Sequence, residues 1–189
     1  SCVLIGVPIW FVIGILVTFA PELAKELGVQ GAITGSKSIM WAYIGLSVGD
    51  LCSGLLSQLL RSRKKAVALF LLMTLILIFV YVSQSGWSTS AFYSLCVALG
   101  FGVGYWAIFV TVAAEQFGTN IRATVASTVP NFVRGSVVPM TLAFSALRGE
   151  VGMIHAIVYL GLAAMTLAFV ALFWLDETFG KDLDYFEPL

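Results

Sequence analysis

Residues 39–82 read IMWAYIGLSVGDLCSGLLSQLLRSRKKAVALFLLMTLILIFVYV. Two apolar runs, 39–60 and 66–82, flank one polar step, RSRKK. A helix rises about 1.5 Å per residue, so about 20 apolar residues cross a hydrocarbon layer roughly 30 Å thick. Both runs are near that length. Neither alternates with period two, which excludes barrel strands. The stretch therefore predicts two membrane helices joined by a short basic loop.

The same test finds four more spans outward from this pair, at 3–20, 91–114, 123–147 and 151–175, separated by polar breaks. The expected fold is an all-α membrane protein with six transmembrane helices. Composition agrees. Of 189 residues, 60% are hydrophobic and 11% charged, against about 25% charged in soluble domains. The net charge of zero gives no sign of a nucleic-acid partner. Cys2, Cys52 and Cys96 show neither paired nor metal-ligand spacing. No HExxH, CxxC, P-loop or nucleophile elbow occurs, so neither a cofactor nor an enzymatic reaction is expected. The chain opens at Ser1 inside an apolar run and reads as a piece of a longer protein, with no signal-peptide pattern.

Short loops rich in Lys and Arg favour the cytoplasm. With Arg61, Arg63, Lys64 and Lys65 inside, alternation also places Arg122 and Lys181 inside, and Lys25, Lys37 and Arg148 outside. Both ends are then cytoplasmic. Trp174 near the inner ends, and Trp41 and Trp87 near the outer ends, suit interfacial aromatic belts.

Two charges fall deep in the expected spans. Asp50 stands eleven residues before Arg61, about 16 Å up the helix. A charge there costs on the order of 3 kcal/mol and usually faces protein or a wet cavity. Tyr43, Ser47, Asp50, Ser53, Gly54 and Ser57 share one half of this helix, and Ile44, Val48, Leu51, Leu55 and Leu59 cover the other. The fifth span repeats the pattern, with Thr124, Ser127, Thr128, Asn131, Arg134 and Gly135 in one sector. Arg134 lies about 18 Å from Arg122. Asp50 and Arg134 either pair, or bond to neighbours, to specify packing, or serve substrate binding, ion coupling or gating. In GFGVGYW, residues 100–106, the glycines lack the strand context of a dinucleotide site and suit close helix packing or local unwinding. Trp10, Tyr105 and Trp106 either line a cavity or pack. His155 reads as a satisfied polar residue near an outer helix end.

Three segments resemble a known family. GLLSQLLRSRK (54–64) is similar to the G-x-L-x-D-R-x-G-R-R loop between helices eight and nine of the major facilitator superfamily, with Gln58 where the family carries an acid. AEQFGTNIRAT (114–124) resembles its E-x-F-P-T-x-x-R-A-T segment, Glu115 and Arg122 matching directly. DETFGKDL (176–183) is similar to the P-E-T-K-G-R-S-L tail of sugar-porter-like members, Asp176 replacing proline. The resemblance covers essentially the whole chain, as the C-terminal half of a twelve-helix transporter. It implies two inverted three-helix repeats, 1–83 and 84–189, facing an N-terminal half absent from this chain, in a bacterial inner (plasma) membrane. The solute site would lie between the halves near the midplane.

The function expected on this basis is secondary active transport of a small organic solute, anionic or sugar-like, coupled to protons. Asp50 is the proton-coupling candidate. Arg134, Asn131, Trp10, Tyr105 and Trp106 are the cavity candidates. Arg61, Arg63, Lys64, Glu115, Arg122, Asp176 and Glu177 form a cytoplasmic charge network that gates access. The rival readings are an uncoupled facilitator and a non-transporting receptor or assembly module.

Overall fold

The computed structural model describes residues 1–181, and these are helical throughout apart from turns and one isolated backbone bridge between Gln30 and Ser88. The helices are α1 (Leu4–Val17), α2 (Ala20–Glu26), α3 (Gly35–Leu59), α4 (Arg63–Ser83), α5 (Thr89–Gly102), α6 (Trp106–Glu115), α7 (Thr119–Gly135), α8 (Val137–Val151) and α9 (Met153–Trp174). Four stretches are long and apolar enough to cross a bilayer: α3, α4, Thr89–Glu115 and α9. A fifth is added if α1 and α2 count as one span despite a 66° bend between them. These helices are compatible with a multi-pass integral membrane protein. Their largest outward side chains are apolar, with Leu59 81%, Phe79 69% and Phe173 82% exposed. A soluble monomer would bury such a surface.

Three expected spans are not single straight helices. The first, expected to end at residue 20, loosens to a π-helical turn over Val12–Val17, where the Thr18 hydroxyl donates to the Ile13 carbonyl at 2.8 Å. The fourth breaks at Val103–Tyr105 between α5 and α6. Glycine makes that break possible, because a β-carbon on Gly104 would strike the Gly49–Asp50 backbone. The fifth divides at Ser136 into α7 and α8. Pro139 explains the division. Three residues after the break it occupies the first turn of α8, where its missing N–H has no partner to lose.

α3 packs along α5 through its smallest residues. Ser38, Ala42, Gly45, Gly49, Ser53 and Ser57 are its buried positions. A β-carbon on Gly45 would fall on the Val97 carbonyl, and one on Gly100 on the Ala42 carbonyl. Close backbone approach of this kind holds membrane helices together by van der Waals contact where lipid removes the hydrophobic drive. The expected two-faced α3 is therefore revised. Ile44, Val48, Leu51, Leu55 and Leu59 do point outward. The polar half splits, Ser53 and Ser57 being buried, Ser57 against Arg63 of α4, while Tyr43 and Ser47 stay open.

The bundle has two polar ends. At one, the Gln30 N–H donates to the Trp87 carbonyl at 2.8 Å, Thr89 Oγ1 to the Gln30 carbonyl at 2.7 Å, and Arg148 pairs with Glu22 at 3.2 Å. The other gathers the start of α4, the end of α6 and the segment after α9. Asp182 and Leu183, which complete the tail motif, lie outside the described residues.

Candidate functional site

Helix α6 starts inside the bundle, at the break in the fourth span. A helix N-terminus carries unsatisfied N–H groups and a partial positive charge. Asp50 of α3 answers both. Its Oδ1 accepts the Ala107 N–H at 3.0 Å, across 57 residues of sequence. A half-buried carboxylate and a helix start thus satisfy each other.

The residue before Ala107 carries the next contact. The Arg134 guanidinium lies over the Trp106 ring, 5.3 Å from its centroid, close enough for cation–π attraction. Trp106 in turn meets Trp10 edge-on at 6.2 Å and Phe109 at 5.2 Å. The structure thus gathers Asp50, Trp106, Arg134 and Trp10 around one helix break. Asp50 and Arg134 do not pair: one holds backbone amide, the other a ring. The Arg134 side chain is exposed, and none of its N–H donors meets an acceptor among the described residues. A planar fork of free donors suits a carboxylate or phosphate group.

The exposed sector of α7 continues this side of the bundle. Thr124, Ser127, Thr128, Asn131, Arg134 and Gly135 are all exposed, as their spacing predicted. Asn131 and Ser127 line a cleft of about 610 Å³ beside the α7–α8 junction. A second cleft, about 500 Å³, runs between α3 and α6 from Asp50 past Gly54, Gln58 and Thr111 to Arg63.

No family model, no curated protein and no solved structure matches this chain.

Tyr105 departs from the expectation that it lines a cavity. It is fully buried, and its hydroxyl donates to the Ile5 carbonyl at 2.9 Å. The break aims Trp106 toward the open side and Tyr105 into the core, so Tyr105 anchors the break rather than facing a solute. Trp10 is half-buried, with its indole nitrogen unpartnered among the described residues.

The second feature lies at the Arg63 end of the bundle. Arg63 pairs with Glu115 at 3.4 Å and donates to Ser57 Oγ at 2.6 Å. The other Glu115 oxygen accepts the Thr178 hydroxyl at 2.6 Å. Lys64 Nζ donates to the carbonyls of Phe173 and Leu175, closing the end of α9. The Asp176 carbonyl accepts from Gln116 Nε2 at 2.8 Å, so Asp176 joins through its backbone. Arg122 Nε and Nη2 donate to the Phe117 carbonyl at 3.3 and 3.2 Å, bracing the turn between α6 and α7. Arg61, at φ 47°, stays exposed and stands apart.

Glu177 has the densest set of partners. It accepts the Ser62 hydroxyl, and the N–H groups of Arg63 at 2.8 Å and Lys64 at 3.3 Å. The N–H groups of Thr178 and Phe179 add bonds of 3.0 and 3.1 Å. Partial burial pushes its pKa up, but the bonds from Ser62, Phe179, Arg63 and Lys64 outweigh it and hold the carboxyl below its ordinary value. The benefit is mutual. α4 opens with three cations against its own positive end, an arrangement that costs free energy, and the carboxylate offsets it.

Of the sequence-derived network, Arg63, Lys64, Glu115, Asp176 and Glu177 are brought together. Sequence reasoning missed Ser57, Ser62, Gln116 and Thr178. Only Ser62 had a local signal: a serine directly before a helical run is a typical N-cap, and here its Oγ accepts the Lys65 N–H at 3.1 Å.

Proposed function

We propose that this chain is the C-terminal six-helix half of a major facilitator superfamily transporter, moving a small organic solute by proton-coupled alternating access. In this reading α7 and α8 together make the fifth of six spans, since the chain stays helical through Ser136. Residues 1–83 and 84–189 form two inverted repeats. An internal parallel supports this: each repeat opens with an irregular span, α1 or α5–α6, and closes with a long regular one, α4 or α9. The N-terminal half of the same transporter covers the open side, and the Arg63 end faces the cytoplasm of a bacterial inner (plasma) membrane.

The observation that carries the proposal is the break before Trp106. Broken helices near the bilayer midplane are where transporters bind solutes and ions. Here the break joins a carboxylate to a guanidinium with free donors. Arg134 holds the anionic group of the solute, with Asn131, Trp106 and Trp10 shaping its surroundings. Asp50 takes up a proton when it leaves the α6 amides and returns it when it docks again. The Arg63–Glu115–Glu177 cluster gates the cytoplasmic side.

Uptake of labelled organic anions and sugars into proteoliposomes, with an imposed pH gradient, tests this. Wild-type protein is expected to concentrate solute above equilibrium. Asp50→Asn keeps an oxygen for the Ala107 N–H but cannot titrate, so it should equilibrate solute without concentrating it. Arg134→Gln should weaken binding of anionic solutes about 10- to 150-fold, the loss of one charge-assisted contact of about 1.5–3 kcal/mol. If Asp50→Asn still follows the pH gradient, Asp50 is not the coupling residue. One observation favours an uncoupled facilitator instead: Asp50 already has a structural partner in the Ala107 N–H. That reading predicts wild-type transport that never exceeds equilibrium.

A further inference from the structure

The four cations of RSRKK divide. Arg63 and Lys64 turn inward, onto Glu115 and Ser57 and onto the carbonyls that end α9. Arg61 and Lys65 are exposed, and no acceptor or carboxylate meets their side chains among the described residues. The inward network explains two charges and leaves two over.

Beside the leftover pair lies an apolar groove. It runs between α3 and α4, has a volume of about 480 Å³, and is walled by Leu55 and Leu59 on one side and Leu69 and Met73 on the other. Its floor is the pair Phe70 and Phe101, stacked at 5.8 Å. The walls are open to the outside, with Leu55 66%, Leu59 81% and Leu69 48% exposed. The two features are in register. Lys65, Leu69 and Met73 recur every fourth residue, so they lie on one face of α4. Arg61 follows Leu59 by two residues at the end of α3. From Lys65 to Met73 the helix advances about 12 Å, against roughly 15 Å of hydrocarbon in one leaflet.

We propose that this groove is a binding site for one anionic phospholipid, an acyl chain lying between α3 and α4 and the phosphate held by Arg61 and Lys65. The charge arrangement selects this occupant. A neutral lipid fills the groove but leaves two cations unmatched. A soluble anion matches the cations but leaves the groove bare. The amides at the α4 N-terminus do not compete for the headgroup, because Glu177 already occupies them. The groove shares Leu55 with the Asp50 cleft, but neither Arg61 nor Lys65 lines that cleft, so the lipid site does not rest on what the chain transports.

Native mass spectrometry of the purified chain, titrated in detergent with phosphatidylglycerol or phosphatidylcholine, tests the site. Wild-type protein is expected to retain one phosphatidylglycerol in clear preference to phosphatidylcholine. Each basic residue near an anionic headgroup strengthens binding about fivefold, so Arg61→Gln with Lys65→Gln should weaken retention by roughly 25-fold. Lys37→Gln, at the opposite end of α3, should leave it unchanged. Met73→Trp fills the groove while keeping both cations, and should also abolish retention. If phosphatidylglycerol stays bound to Met73→Trp as tightly as to wild type, the attraction is headgroup charge alone and the site does not exist. Equal retention of both lipids by wild type, displacement by glycerol phosphate at matching concentration, or a dimer mass in place of the lipid adduct would each overturn it too.

Discussion

Glu177 accepts more hydrogen bonds than any other side chain in the described chain, and its setting makes a pH-dependent prediction. Its carboxyl is held below the ordinary 4.5 because the folded state donates to the charged form. A carboxyl lowered on folding stabilises the fold fully above its unfolded pKa, and that stabilisation is lost as pH falls through the lowered value. The thermal midpoint of wild type should therefore exceed that of Glu177→Gln by a constant margin at neutral pH. The margin should shrink in acid, beginning near pH 4.5. A margin that ignores pH would mean that charge at Glu177 is irrelevant. Ser62 acts in the same cap, and Ser62→Ala should cost about 1 kcal/mol. Asp50 belongs to the same class of group. Each is a carboxylate from one element closing the N-terminus of another, which is why neither needs a cation partner.

Among the helices, the α3–α5 contact depends most on side-chain size. Gly45 and Gly100 sit where a β-carbon would overlap a carbonyl of the facing helix, whereas nothing lies within 4 Å of one placed on Gly54. Both Gly45 and Gly54 are interior positions of one helix, so propensity treats them alike. Gly45→Val should push α3 from α5 and destabilise by about 3 kcal/mol, as overpacking of a close contact does. Gly54→Ala should be neutral or raise stability by up to about 1 kcal/mol. Thermal unfolding in detergent separates the two, and equal effects would show that the close approach does not govern this pair. Helix breaks follow the same logic at Val103–Tyr105. α5 and α6 read as one apolar run in sequence, and the break survives because Tyr105 is anchored to Ile5 on one side and Ala107 to Asp50 on the other.

Across the whole molecule, the cluster at the Arg63 end ties α3, α4, α6 and the segment after α9 into one unit. Single exposed ion pairs contribute roughly 0–1 kcal/mol, so Arg63–Glu115 alone would not bias a conformational equilibrium. The cluster differs because one carboxylate bridges two elements, holding Arg63 of α4 and Thr178 after α9. Glu115→Gln removes the charge but can still accept from Thr178. Under the proposed alternating-access function, it should shift the distribution of access states, read as cysteine crosslinking across that end. It should also weaken the dependence of that distribution on salt. Crosslinking identical to wild type would reduce the cluster to a static clasp.

Much of this was legible in the residues themselves. The helical membrane character, the span ends at RSRKK and near Trp174, the outward apolar row of α3 and the open polar sector of α7 are all consequences of which solvent each side chain prefers. That preference is a property of single residues and their spacing, so composition and periodicity express it. Partners are different. Asp50 meets Ala107, Glu115 meets Arg63 and Thr178, Glu177 meets Ser62, and Gly45 meets Val97, at separations of 52 to 115 residues. The sequence marked Asp50 and Arg134 as deep charges but left open whether they pair. Only the fold brought the start of α6 between them and gave each a separate contact. A hydrogen bond or a close approach is a property of two groups in space, and a linear pattern holds only one of them at a time.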